Sequence, residues 1–193
     1  MTNLLDLSVR SLLDEAASET PTPGGGALAA LTGAFAAGLI AMAARNSPDW
    51  ETRGAMIAQA EVLRGRLTEL APLNDEVYEH ALAALRLPRE AGAEAANAVL
   101  GSSLERAAAF PLAIAEAASN VAELAAVVAE EGDPTVRADA TAAAMLALGA
   151  TRAAAHLVEI NLGVLERDER LLRATRLAAD AAAASARTLA VAQ

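Results

Sequence analysis

The sequence predicts an all-α fold, one domain spanning residues 1–193 and built as a bundle of long, alanine-rich helices. Three observations carry this. Apolar residues make up 54% of the chain but aromatics only 2%, and 54 of the residues are alanine, the strongest helix former, whereas strands favour β-branched and aromatic side chains. Glycine and proline punctuate the chain at helix-length intervals, and no polar or Gly/Ser-rich linker divides it. The stretch from Thr20 to Ala44 carries no charge, as expected of a helix contacted on most of its circumference. The sequence is compatible with both orthogonal and up-down packing.

The elements follow in order. Leu4, Leu5, Leu7, Leu12 and Leu13 interleave with Asp6, Arg10, Asp14 and Glu15 at helical spacing, a short amphipathic first helix ending by Ser18–Thr20. Pro21, Pro23 and the run Gly24-Gly25-Gly26 form a rigid turn that opens a central helix from about Gly26 to Ala44. That helix is long enough to be weighed as a membrane span. Its alanine and glycine content, the acidic residues before it and the lack of a second comparable span favour a buried core helix instead.

A third helix is expected from Asp49 to Leu70, with Met56, Ile57, Ala60, Leu63 and Leu67 inward. Trp50 at its start is either a packing lid or a stacking platform. Pro72 should interrupt the chain, and Asn74 or Asp75 should cap a fourth helix that stops at Leu87 before Pro88. A helical pattern from Glu90 to Phe110 precedes Pro111, which starts or kinks the next helix, running to Gly132. Asp133-Pro134 is a helix start with the aspartate as N-cap, opening a helix to about Asn161. The last helix covers Leu165 to Val191.

The net charge of −10 and pI near 4.7 argue against a nucleic-acid binder, whose phosphate contacts need a basic patch, and they disfavour anionic membranes. No cysteine is present, so disulfides and thiolate chemistry are absent, and a cytoplasmic location is expected. Alanine helices bury little apolar area per residue while their backbone ordering costs as much as any other. A subunit interface would offset that deficit, and a homodimer is expected.

Candidate chemistry is sparse. Asp139 lies among small uncharged residues, either on an exposed helix edge or turned into a cavity that needs a charge, where a cationic substrate could balance it. Asp75 is explained equally by a first-turn dipole role. His80 and His156 read as surface or interface residues; without HExxH or Glu-x-x-His elements no metal site is expected. The triple glycine could cradle an anion, but it lacks the lysine and hydroxyl of a nucleotide loop. It speaks more for close approach of a ligand or helix.

Taken together, PTPGGGALAALTGAFAAGLIAMAA (Pro21–Ala44), LNDEVYEHALAALRLPRE, AAAFPLAIAEAA and GDPTVRADATAAAMLALGATRAAAHLVEINL resemble, in the same order, the cyclodeaminase/cyclohydrolase family acting on one-carbon-substituted tetrahydrofolates. That family includes the carboxyl-terminal half of formiminotransferase-cyclodeaminase and bacterial methenyltetrahydrofolate cyclohydrolases. The resemblance implies a helical homodimer with a folate pocket at or near the interface, lined by the turn Pro23, Gly24, Gly25 and Gly26. It implies Asp75 and Asp139 as the acidic, catalytic positions, and Arg89, where lysine is usual, and Asn161 as substrate-binding positions. The family often has Gly-Asn and Ser-Asp where this chain has Gly132-Asp133 and Ala138-Asp139. The implied reaction is hydrolysis of 5,10-methenyltetrahydrofolate to 10-formyltetrahydrofolate, with formiminotetrahydrofolate cyclodeamination, or a non-catalytic folate-binding or scaffold role, as alternatives. No cofactor beyond the tetrahydrofolate substrate, no nucleic acid and no membrane partner are expected.

Overall fold

The computed structural model describes residues 3–85, 93–162 and 168–191, with side chains for all of these except 75–85 and 93–106. Among the described residues there are six α-helices, two short 3-10 turns and no strand. The helices are α1 (Val9–Ala16), α2 (Gly25–Arg45), α3 (Arg53–Leu85), α4 (Ala93–Glu131), α5 (Arg137–Leu162) and α6 (Glu169–Val191).

The packing is up-down. Along α2 and α3, Gly26 meets Asn74, Gly33 meets Leu67 and Arg45 bonds Glu61, so the two helices are antiparallel. Gly33 also lies against Ala118, and Ser47, just past α2, bonds the backbone of Asp133, just past α4. These two contacts make α4 run alongside α2. Asn161 reaches Ala107, which sets α5 antiparallel to α4, and Ser119–Leu177 with Glu130–Arg187 set α6 parallel to α4. Short backbone-to-backbone distances are what the small residues provide. A Cβ added at Gly33 would sit 3.1 Å from Leu67 Cδ1, which would have to shift by a few tenths of an ångström, and in ordinary contact, 3.5 Å, with the Ala118 Cβ, so glycine eases the approach of α2 to α3. Ile40, Leu67, Ile114, Val121 and Val128 fill what the alanines leave.

The break expected at Pro72 is absent, and Pro111 does not start a helix. Pro72 lies inside α3 and Pro111 inside α4. Each proline removes one helical hydrogen bond at a cost of about 3 kcal/mol. Burial on both sides outweighs that cost, with Leu67, Leu70 and Ala71 beside Pro72, and Leu112, Ile114 and Ala115 beside Pro111. The first segment is also divided, into a 3-10 turn at Leu4–Asp6 and α1, whose N-cap Ser8 accepts from the Ser11 N–H.

Other starts follow their caps. Asp133 accepts from the N–H and hydroxyl of Thr135, at 2.8 and 2.6 Å, and leads through a 3-10 turn into α5. Trp50 is half-buried against the core and its indole N–H donates to Glu131, which ties the turn after α2 to the end of α4 and makes it a packing residue. Contrary to the expectation of one apolar span, three stretches are long and apolar enough to cross a membrane by length and composition: Gly25–Arg45, Ala107–Glu131 and Pro134–Leu162. In the first two, 61% and 67% of the apolar window is buried against the other helices.

Candidate functional site

The glycine turn is held by its own hydroxyls before it reaches α2. Thr20 Oγ1 donates to the Thr22 carbonyl at 3.0 Å and shares a hydrogen bond with Ser18, while the Thr22–Pro23 peptide is cis. Gly24 is the N-cap, in extended conformation, and as a glycine it has no side chain of its own to cap α2. The three glycines differ in what they face. Gly25 is exposed, and a Cβ there would meet nothing within 4 Å. Gly26 is buried beneath the Asn74 carboxamide, which a Cβ would overlap, so α3 lies on the turn through a polar side chain.

Asn74 lies inside α3, so it is a wall of the turn and not the helix cap expected of it. Asp75 is the next residue of α3; its side chain, like Arg89, lies outside the described residues. Asn161 sits at the same end of the bundle, near the end of α5, where its amide donates to the Ala107 carbonyl at 3.1 Å. The turn, Asn74 and Asn161 thus share one end of the molecule.

Asp139 is at the other end. It lies in the first turn of α5, half-buried, beside the Ser47–Asp133 junction where α2 finishes. The 21 residues of α2 separate that junction from the glycine turn, about 30 Å at 1.5 Å per residue. Within one chain the two expected carboxylate positions do not converge. Two enclosed polar atoms, Arg137 Nε and Thr141 Oγ1, lie in the same turns of α5 with no partner among the described residues.

A cavity of 490 Å³ opens between α3 and α4, lined by Gln59, Val62, Leu63, Asn120 and Glu123 among others. It contains none of the predicted site residues, and Leu63 is three turns, about 16 Å along α3, from Asn74. His156 is exposed, 3.4 Å from Glu159. Among the described residues no three His, Asp or Glu side chains gather as metal ligands.

The same arrangement recurs in known proteins. The profile of the formiminotransferase-cyclodeaminase family matches residues 8–181. The chain belongs to this cyclodeaminase/cyclohydrolase family. A methenyltetrahydrofolate cyclohydrolase from Methylorubrum extorquens is 32% identical over 154 residues, covering 75% of this chain and 74% of its own. The crystal structure of formiminotetrahydrofolate cyclodeaminase from Thermotoga maritima superposes with a TM-score of 0.87 at 23% identity, over 97% of this chain and 96% of that one. At that identity the likeness speaks for the fold, and the up-down bundle is a cyclodeaminase-family fold.

Proposed function

We propose that the chain is a cytoplasmic, homodimeric methenyltetrahydrofolate cyclohydrolase, converting 5,10-methenyltetrahydrofolate to 10-formyltetrahydrofolate without a further cofactor. The observation that carries the choice of reaction is the 32% identity to a protein of that name. The site's chemistry suits it. The methenyl bridge is part of an amidinium-like cation, water adds to its carbon, and collapse of the tetrahedral intermediate opens the ring. A carboxylate beside the cation stabilises it, and a second group takes the proton of the attacking water. Asp75 and Asp139 are assigned these two tasks; Asp75 follows Asn74 at the glycine turn. Gly24 and Gly25 give a flat wall for the pterin, with Gly26 seating Asn74 behind them, Asn74 and Asn161 offer amides to its polar edge, and Arg89 suits the substrate's carboxylates.

Cyclodeamination of formiminotetrahydrofolate is the second reading, favoured by the 0.87 superposition on a protein so named. It passes through the same tetrahedral carbon between N5 and N10, with ammonia leaving in place of ring opening. Incubating the protein with each substrate, and following methenyl absorbance and ammonia, separates the two. Loss of methenyl absorbance is expected, and turnover of neither substrate by the folded protein would overturn both. Asp139→Asn and Asp75→Asn should each lower kcat at least 100-fold, about 2.7 kcal/mol of transition-state stabilisation. An unchanged kcat removes that residue from the mechanism.

A further inference from the structure

The cavity between α3 and α4 is built apart from the glycine turn. Its floor is Leu63 and Leu124, the latter only 9% exposed, and Val62 stands 70% exposed at its mouth. The two helices are bridged on either side of it. Towards the glycine turn Arg66 reaches Glu116 at 3.6 Å, and at the far end Trp50, just before α3, donates to Glu131 at 3.3 Å. Those bridges stand about 22 Å apart along α4 at 1.5 Å per residue, so the opening between them is held by the fold. Its 490 Å³ falls within the range of about 300–1,000 Å³ that small-molecule sites occupy.

The polar groups at the mouth are not engaged by the protein. Gln59 and Asn120 line it with carboxamides that have no hydrogen-bond partner among the described residues. Glu123 is the one charged side chain in the lining. Its Oε2 accepts from Arg187 Nη1 at 2.8 Å, but the same guanidinium makes two bonds to Glu130, at 2.9 and 3.0 Å. One cation therefore serves two carboxylates, which leaves an excess negative charge and an Oε1 able to accept another donor. Arg66 is outside the lining and faces Glu116.

An occupant must match an apolar floor, two amides and a carboxylate. An anionic ligand would meet Glu123 and a chain of net charge −10. A neutral apolar ligand would strip water from the amides and the carboxylate and give them no partner in return. An ammonium group on an apolar body meets all three demands, because its N–H donors suit Glu123 Oε1 and the amide oxygens of Gln59 and Asn120.

We propose that this cavity is a second ligand site, and that its ligand is a small organic amine bound as the cation, with the ammonium at Glu123 and the apolar body against Leu63 and Leu124. The assignment does not depend on the folate reading above.

The probe is 3-phenylpropylamine, charged at pH 7, with 3-phenylpropanol as its neutral and 4-phenylbutyrate as its anionic counterpart. In calorimetric titration of the whole chain the amine should bind once per chain with a Kd of about 1 mM. The alcohol should bind more weakly, and the carboxylate at least about tenfold more weakly. Glu123→Gln should weaken the amine about three- to fivefold and leave the alcohol unchanged. Glu159→Gln, which removes the same charge at an exposed position on α5, should leave both unchanged.

A second measurement locates the site. The chain has no cysteine, so Val62→Cys, at an exposed position, reacts without background. Amine at about four times its Kd should slow its reaction with a bulky methanethiosulfonate about fivefold, the factor by which binding depletes the open form. Leu73→Cys, exposed further along the same helix, should react at its usual rate. Protection is read with Glu123 intact, so it decides the site even if Glu123→Gln does not fold. Overturning results are no saturable heat with the amine, alcohol or carboxylate binding as tightly as the amine, equal weakening by Glu159→Gln, or no protection of Val62→Cys.

Discussion

Gly25 and Gly26 are neighbours with opposite constraints, and substitutions at each separate folding from binding. A Cβ at Gly26 falls within 2.6 Å of the Asn74 Cγ, so Gly26→Ala must displace that carboxamide. Such overpacking costs about 1–3 kcal/mol, read as a lowered thermal midpoint. Adding Asn74→Ala should restore much of the stability but not substrate affinity, because the amide facing the turn is then gone. Gly25→Val should leave the midpoint nearly unchanged and raise KM; a lowered midpoint with unchanged KM would make the turn purely architectural. The motif of three glycines after Pro23 was legible in the sequence as a demand for close approach. Which glycine meets a side chain and which faces open space was not, because that depends on the register of α3, some 50 residues on. Asn74 was legible only as a cap for the same reason. Asp139 was legible as a carboxylate among small residues, but its distance from the turn follows from helix direction, which no local pattern encodes.

At the scale of the elements, local signals were accurate where the chain caps itself and failed where tertiary burial competes. Asp133 caps as its Asp-Pro dipeptide implies, with both Thr135 donors on its carboxylate. Pro72 reads locally as a break and Pro111 as a start or kink, yet α3 and α4 run through them because buried neighbours hold each helix in the core, Leu67, Leu70 and Ala71 around Pro72 and Leu112, Ile114 and Ala115 around Pro111. The cost remains in the structure. Pro72 is only half-buried, so Pro72→Ala leaves a small void while restoring a backbone donor and removing the ring's conflict with the preceding turn. The variant should be more stable by up to about 3 kcal/mol, seen as a higher denaturant midpoint with an unchanged slope. A lower midpoint would mean that α3 needs a bend at Pro72 to reach Gly26.

At the scale of the whole molecule, the acidic composition sets the response to pH. Much of the outer bundle is joined by carboxylates. Glu61 is held by Arg45 and Arg64, Glu116 lies between Arg66 and Arg173, and Arg187 bridges Glu123 and Glu130. Hydrogen bonds from Arg45 and Arg64 hold Glu61 below the usual carboxylate range, the Arg187 guanidinium does the same for Glu130, and the Thr135 hydroxyl and N–H for Asp133. Arg170 lowers Asp168 furthest, to about 2, through its side chain and its backbone N–H. A carboxylate depressed by folding stabilises the native state above its unfolded value near 4, and that contribution is lost as pH falls through the folded value. Self-repulsion acts on a different window. From pH 7 down to the pI near 4.7 the excess negative charge is titrated away while these pairs persist, so stability should hold or rise. Below it the chain becomes cationic and the pairs are protonated, so both effects turn destabilising together. Thermal midpoints should therefore peak near pH 5 and fall steeply towards pH 2. Asp168→Asn should flatten the portion of that fall between about pH 4 and pH 2, where only the native state keeps Asp168 ionised. These groups are solvent-exposed, so each contributes little and added salt should weaken the whole profile. An Asp168→Asn curve parallel to wild type through that window would show that the Asp168–Arg170 pair at the start of α6 does not persist in solution.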